Sequence, residues 1–221
     1  MTYSQRLPPP LPDEVYLRTH RRRYALLLEL VRELGPKRIL VVGPSYESTR
    51  LREVAPVDTL GWADERFPRV GDERHVQHDL NDAAQPALDS YDVIVCAEVI
   101  EHLHVSPIPV LRFLGGALSP RGRLVVQTPN ATALPKRLRM LLGRNPYDPI
   151  REEAGNPGHF HEYTVGELRE AVEAAGLTVE RVLTANYFDH GSRKNRAFRA
   201  FEPLLPGTLR EGITVVAMRS R

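Results

Sequence analysis

Short, continuously apolar segments alternate with amphipathic helical patterns along this chain, and that alternation limits the folds open to it. Strand patterns occupy residues 38–43, 57–62, 75–78, 93–97 and 123–128. Helical patterns occupy residues 13–34, 48–54, 109–118 and 165–175. Apolar runs of this length are typical of parallel strands that helices cover on both faces. The pattern therefore predicts an α/β fold built on a doubly wound, mostly parallel sheet.

The last third of the chain departs from this alternation. Strand patterns at 177–183 and 213–218 are separated by a long segment with a helical pattern near 193–205. Residues 131–163 insert a basic amphipathic helix and a loop after the fifth strand. An insertion at the ligand edge predicts a lid. The alternatives are a peripheral helix packed on the sheet, or a basic helix that touches a membrane surface.

Length and composition fix the domain organisation and exclude several classes of protein. Residues 1–12 are proline-rich and predict an extended arm, followed by a single domain at 13–221. A net charge of +2 argues against a nucleic-acid partner. The arginine run at 21–23 is interpreted as a charged helix face, with an anion contact as the alternative. One cysteine, Cys96, excludes an intrachain disulfide. Without a bilayer-spanning apolar run or a signal-peptide core, we expect a cytoplasmic protein.

Ionisable residues follow the most apolar strand pattern directly. Glu98, Glu101 and His102 stand at i, i+3 and i+4, so a helix beginning there would carry all three on one face. Two carboxylates and an imidazole are a candidate ligand set for a divalent metal. Two alternatives stay open: His102 acts as a general base without metal, or the residues only stabilise a helix N-terminus.

Five segments in this order resemble the class I S-adenosylmethionine-dependent methyltransferases. They are residues 38–43, 60–64, 78–80, 91–102 and 118–130, within a resemblance that covers roughly residues 36–185. The resemblance implies a seven-stranded, Rossmann-like sheet with a final antiparallel strand. It also implies that the chain binds S-adenosylmethionine.

The resemblance assigns the cofactor to particular residues. Gly43 permits a close backbone approach, Asp64 binds the ribose hydroxyls, and Asp79 with Leu80 contacts the adenine. Ala97 at the end of the fourth strand completes this set, together with Ser45 and Glu47 of the first loop. Ordinary turn capping is the alternative role of both aspartates.

The first loop departs from the family pattern. Val41 replaces an acidic residue, and Ser45 and Glu47 stand where glycines are usual, so these side chains would crowd the methionine end of the cofactor. Glu47 could instead face the cofactor's amino group. A non-catalytic, methyltransferase-like protein is the alternative that this loop raises.

The segment from Glu98 to His102 is shared with two metal-dependent branches, the ubiquinone-biosynthesis O-methyltransferases and the small-RNA 2′-O-methyltransferases. The second branch adds a histidine that His159 matches, with His161 as the near alternative. The implied ligands of Mg²⁺ or Mn²⁺ are Glu98, Glu101, His102 and His159. The resulting expectation is O-methylation of a hydroxyl on a small molecule or glycan, such as a catechol or vicinal diol, with metal assistance and a metal-free base as the two open routes. The alternative is RNA 2′-O-methylation, against which the near-neutral charge counts.

Overall fold

The computed structural model describes residues 13–152, 158–189 and 201–220. The described helices are α1 (Asp13–Leu34), α2 (Tyr46–Leu51), α3 (Pro107–Gly116), α4 (Leu134–Leu141) and α5 (Val165–Ala174). The strands are β1 (Ile39–Val42), β2 (Val57–Gly61), β3 (His75–Gln77), β4 (Tyr91–Ala97), β5 (Leu118–Pro129), β6 (Leu177–Ala185) and β7 (Gly212–Arg219). Short 3₁₀ turns cover Ile100–His102, Glu202–Leu204 and Gly207–Leu209.

The seven strands form one sheet in the order β3-β2-β1-β4-β5-β7-β6. Strands β1 to β5 pair in parallel, whereas β7 runs antiparallel between β5 and β6. The strand order reverses between β1 and β4, and a crevice for ligands forms outside the carboxyl ends of strands at such a point. The predicted doubly wound sheet with a final antiparallel strand is confirmed.

Helices cover both faces of the sheet, which is why its central strands are apolar along their whole length. Successive side chains of a strand point to opposite faces. Leu40 and Ile94 accordingly join the apolar cluster under α3 and α5, while Val41 and Val95 join the cluster under α1. Val41 thus packs in the core at the position where the family usually has an acidic residue.

Several element boundaries differ from the predicted ones. Strand β5 begins at Leu118, which pairs with Tyr91, so the helix predicted over 109–118 ends earlier. It also begins earlier, because Ser106 caps it by accepting a hydrogen bond from the Ile108 N–H at 3.3 Å. Residues 193–200 of the helix predicted near 193–205 lie outside the described residues, as does the predicted arm at 1–12.

The helix predicted to begin at Glu98 is wrong. Glu98 has a φ of 55°, in the left-handed region, and its N–H donates to the Gln127 carbonyl at 2.8 Å. This bond continues the β4–β5 ladder by one residue, and only a 3₁₀ turn at Ile100–His102 follows. Glu98, Glu101 and His102 therefore do not share a helical face.

Two further predictions concern burial and membranes. Cys96 is a buried free thiol in the middle of the sheet, and burial raises the pKa of that thiol. Within residues 13–152, 158–189 and 201–220, no helix has both the length and the apolar character needed to cross a bilayer.

Candidate functional site

The candidate site lies at the carboxyl edge of the sheet, where β1, β4 and β5 end side by side. Strand β1 leads into Gly43, β4 leads into Glu98, and the last residues of β5 include Gln127 and Thr128. The fold thus brings the first loop and the acidic segment together, as the parallel topology requires.

The loop after β1 places a carboxylate where small residues are usual. Gly43 has a φ of 81°, which favours glycine, and its N–H donates to the Leu60 carbonyl at 2.7 Å. The Ser45 N–H donates to the Ser48 hydroxyl at 3.1 Å at the start of α2. Glu47, in the first turn of α2, is buried, and its Oε1 lies 2.5 Å from Nη1 of Arg23.

Arg23 also lies at the candidate site, although the sequence pattern predicts it on a charged helix face. Its neighbours Arg21 and Arg22 do form an exposed helix face, but Arg23 is only 1% exposed. Its Nη1 also contacts the Gln127 amide oxygen at 3.3 Å, and its guanidinium lies 4.7 Å from the ring centre of Tyr24. Burial acts to lower the pKa of Arg23, but the carboxylates of Glu47 and Glu98 outweigh this and raise it. Arg23 therefore stays charged inside the protein.

Glu98 occupies a strained and water-poor position beside this cation. A left-handed φ is unfavourable for a residue with a side chain and is concentrated at functional sites. The Oε1 atom of Glu98 is buried without a hydrogen-bond partner. Burial raises the pKa of Glu98, against the opposing charge of Arg23.

Glu101, His102 and His159 bring one ligand atom each to within 4.8 Å of one another. Glu101 is fully buried. Its Oε2 accepts a hydrogen bond from the Thr128 hydroxyl at 2.9 Å, and its Oε1 has no partner. Burial, and then the Glu98 charge, raise the pKa of Glu101. Glu98 lies outside this group, and His161 instead lies 3.6 Å from Glu167.

The hydrogen bonds of the two histidines decide which ring nitrogens are available. Nδ1 of His102 lies 2.9 Å from the Gly158 carbonyl, which can only accept, so Nδ1 carries the proton and Nε2 is free to accept one. Burial lowers the pKa of His102. His159 uses Nδ1 toward Glu162 at 3.1 Å, and burial lowers its pKa to about 4. Both imidazoles are therefore neutral near pH 7.

Lys136 connects this group to α4. Its ammonium donates to the Asn130 carbonyl at 3.1 Å and pairs with Glu162, which also holds His159. Burial lowers the pKa of Lys136 to about 8, although the Glu98 and Glu101 charges oppose the shift. The sequence pattern predicts Lys136 in a basic helix, and nothing in that pattern indicates that its side chain reaches the candidate site.

The residues assigned to adenosine lie farther along the same edge. The Asp64 carboxylate is held by Arg66 through a 2.6 Å contact with its Nη2. Asp79 caps its own turn, accepting from the Asn81 N–H at 2.9 Å. Leu80 is buried in the apolar core, and Ala97 closes β4 opposite Gln127. Both aspartates thus make the turn contacts expected if their role is turn capping, which is the alternative to a role in cofactor binding.

Unpaired polar atoms show where this edge can accept a ligand. Arg23 Nε, Glu98 Oε1 and Glu101 Oε1 are all buried without a hydrogen-bond partner. Most buried polar groups in proteins are paired, because an unpaired one costs about 1–3 kcal/mol. One end of the site offers a charged pair to a zwitterion, and the other offers a carboxylate and two imidazoles to a proton or a cation.

Comparison with protein families and curated proteins gives consistent results. Residues 23–182 match a family described as a methyltransferase domain. The chain is 31% identical over 114 residues to a ubiquinone biosynthesis O-methyltransferase of Aeromonas salmonicida, covering 52% of this chain and 47% of that protein. It is 36% identical over 144 residues to a probable S-adenosylmethionine-dependent methyltransferase of Mycolicibacterium smegmatis, covering 65% and 45%. The chain thus spans about half the length of these relatives.

Solved structures share the architecture at low sequence identity. The N-methyltransferase NodS of Bradyrhizobium japonicum, solved with S-adenosyl-L-homocysteine, superposes with a TM-score of 0.58 at 13% identity, covering 91% of this chain and 87% of that one. A similarity at this identity establishes a shared fold and leaves the acceptor to the residues of the site.

Proposed function

Because this chain belongs to the methyltransferase-domain family of the class I S-adenosylmethionine-dependent methyltransferases, we propose that it methylates a hydroxyl of a small molecule or glycan. The observation that carries the proposal is the buried Glu101 beside His102, with an unpaired oxygen and a free imidazole nitrogen. The relative named as an O-methyltransferase supports transfer to oxygen.

Different residues of the chain fit the amino-acid end and the adenosine end of the cofactor. The Arg23–Glu47 pair complements an amino acid, whose carboxylate and ammonium match the guanidinium and the carboxylate. This fit replaces the role that glycines play in the usual first loop. Asp64 and Asp79 are assigned to the ribose and adenine, and Asp64 would exchange its contact with Arg66 for the ribose hydroxyls.

Proton removal from the acceptor is assigned to His102. S-Adenosylmethionine supplies a methyl group on a sulfonium sulfur, from which an acceptor oxygen can displace it. Nε2 of His102 accepts the hydroxyl proton, while the bond from Nδ1 to the Gly158 carbonyl fixes the ring and its tautomer. Glu101, whose carboxyl oxygen lies within 4.8 Å of an imidazole nitrogen, is assigned to stabilise the imidazolium by ionising as that cation forms. The remaining requirement is alignment of the oxygen with the methyl carbon.

A divalent metal also fits part of this site. Glu101, His102 and His159 would hold it, since a carboxylate and two imidazoles suit Mn²⁺ or a related ion. The ion would lower the pKa of a bound hydroxyl. Glu98 is not grouped with these ligands, and its role is assigned to the charge balance around Arg23.

Turnover of the purified protein tests this assignment. With catechol and diol acceptors, His102→Ala and Glu101→Gln should lower the rate of S-adenosylhomocysteine release about 100-fold or more, the usual size of a lost acid–base contribution. Affinity for S-adenosylmethionine, measured by calorimetry, should remain. His161→Ala is the matched control, because His161 lies outside the group.

Two further measurements decide the remaining alternatives. Activity that is lost in chelator and restored by Mn²⁺ assigns the metal, whereas full activity in chelator leaves His102 as a metal-free base. Wild-type turnover in both variants would refute the catalytic assignment. Absence of cofactor binding at millimolar concentration would refute the enzyme proposal altogether.

A further inference from the structure

Helix α4 presents an unusually apolar surface to solvent. Leu138, Met140, Leu141 and Leu142 are 52%, 56%, 82% and 72% exposed, and no residue of the helix is buried. Leu138, Leu141 and the C-capping Leu142 form one patch, whereas Met140 lies on the opposite face of the helix. Such patches mark interaction sites on folded proteins.

The patch has a defined arrangement on the helix. At about 100° per residue, Leu138, Leu141 and Leu142 fall on one face, at i, i+3 and i+4. Arg137 and Arg139 fall on either side of that stripe. An apolar stripe flanked by cations is the pattern of a helix that lies in the interface plane of a membrane.

The cations of α4 are not neutralised by acids. Arg137 donates to the Thr132 carbonyl at 2.8 Å and Arg139 to the Pro146 carbonyl at 3.3 Å. Among the residues that the structure describes, neither these two nor Arg144 forms an ion pair. Their charges are therefore available to anionic headgroups, while their carbon chains can lie along the apolar stripe.

The segment that carries α4 is anchored at both ends to the sheet. The Ala131 N–H donates to the Tyr163 carbonyl at 2.9 Å, so the chain leaves and returns at one point beside the end of β5. Lys136 fixes the first turn of the helix through Glu162. The anchored ends hold the exposed stripe at the carboxyl edge of the sheet, on the side of the candidate site.

We propose that α4 is a docking surface for an anionic lipid bilayer. The apolar stripe enters the acyl boundary, and the flanking arginines contact phosphate groups. Docking requires no methyl transfer. If the protein is the proposed methyltransferase, docking would let it take an acceptor hydroxyl from a molecule in the bilayer, and only this second statement rests on the proposed function.

Vesicle sedimentation with the full chain tests the docking. The protein should bind phosphatidylcholine vesicles that contain phosphatidylglycerol, bind pure phosphatidylcholine vesicles weakly, and dissociate with added salt. Leu141→Ser with Leu142→Ser, and separately Arg137→Glu with Arg139→Glu, should each lower the partition coefficient about tenfold or more. The first pair removes apolar surface that enters the acyl boundary, and the second reverses the charges that face the headgroups.

A matched control and two contrary outcomes complete the test. Leu204→Ser removes an apolar side chain that is 79% exposed elsewhere and should leave binding unchanged. All variants alter exposed positions, so their thermal unfolding should match the wild type. Failure of the wild type to bind anionic vesicles, or wild-type binding by both α4 variants, overturns the proposal. Self-association that the α4 variants abolish, without vesicle binding, would assign the patch to a second copy instead.

Discussion

Several buried charged side chains at the carboxyl edge of the sheet destabilise the fold. Arg23, Glu47 and Glu101 are each less than a tenth exposed, and Glu98 adds a buried carboxylate oxygen. Burying a charge costs several kcal/mol, and a paired partner only partly offsets that cost. Groups of this kind are expected where a ligand completes the pairing, which is consistent with three of their polar atoms lacking partners.

Backbone strain at Glu98 is measurable by substitution. At its φ of 55°, a side chain costs about 1 kcal/mol more than glycine does. Glu98→Gly should therefore be more stable than Glu98→Ala by about 1 kcal/mol in urea unfolding, although alanine stabilises most extended or helical positions relative to glycine. Both variants lack the carboxylate, so the difference between their free energies of unfolding reports the backbone strain alone. Equal stability, or a more stable alanine variant, would show that the position is unstrained.

The sequence pattern predicted some site residues and missed others for a definite reason. Gly43, Glu101 and His102 were predicted because turns and strand ends are local features, and the structure places all three at the candidate site. Arg23 was interpreted as surface, since a run of three arginines on a helix gives no sign of which one points inward. Its burial depends on Glu47 and Gln127, which are distant in the sequence and meet it only in the fold.

At the scale of elements, the sequence pattern predicted whether a segment is a helix or a strand better than it predicted where that segment begins and ends. Helix α1 was predicted from its apolar stripe and runs from Asp13 to Leu34 as expected. The turn after β4 was predicted as helix because its residues have helical spacing. The Glu98 N–H bonds across the sheet instead, a tertiary contact that the spacing cannot reveal.

The capping box of α5 should contribute measurably to stability. The Thr164 hydroxyl accepts from the Glu167 N–H at 3.2 Å, and Glu167 accepts from the Thr164 N–H at 2.8 Å. Thr164→Ala should cost about 1 kcal/mol in urea unfolding, as other caps do. Thr178→Ala, at an exposed hydroxyl on β6, is the control and should cost less. The cap would be irrelevant to stability if both variants matched the wild type.

At the scale of the whole molecule, the sheet order was accessible only through resemblance. Alternating patterns indicate a parallel sheet, but they do not place β7 between β5 and β6. That antiparallel insertion matters to the site, because the Gln127 side-chain amide N–H donates to the Thr214 hydroxyl on β7 at 3.0 Å. Gln127 in turn contacts Arg23, so the last strand of the chain helps to position the first helix.

Replacing the Arg23–Glu47 pair as a unit should cost the molecule little stability but should abolish binding of the cofactor. Arg23→Met alone leaves buried carboxylates unpaired and should cost about 3–5 kcal/mol, whereas Arg23→Met with Glu47→Met should be neutral or stabilising. S-Adenosylhomocysteine at 100 times its dissociation constant should stabilise the wild type by about 2.7 kcal/mol. Thermal unfolding should show no such gain in the double variant. A double variant that keeps the gain would place the amino-acid end of the cofactor elsewhere.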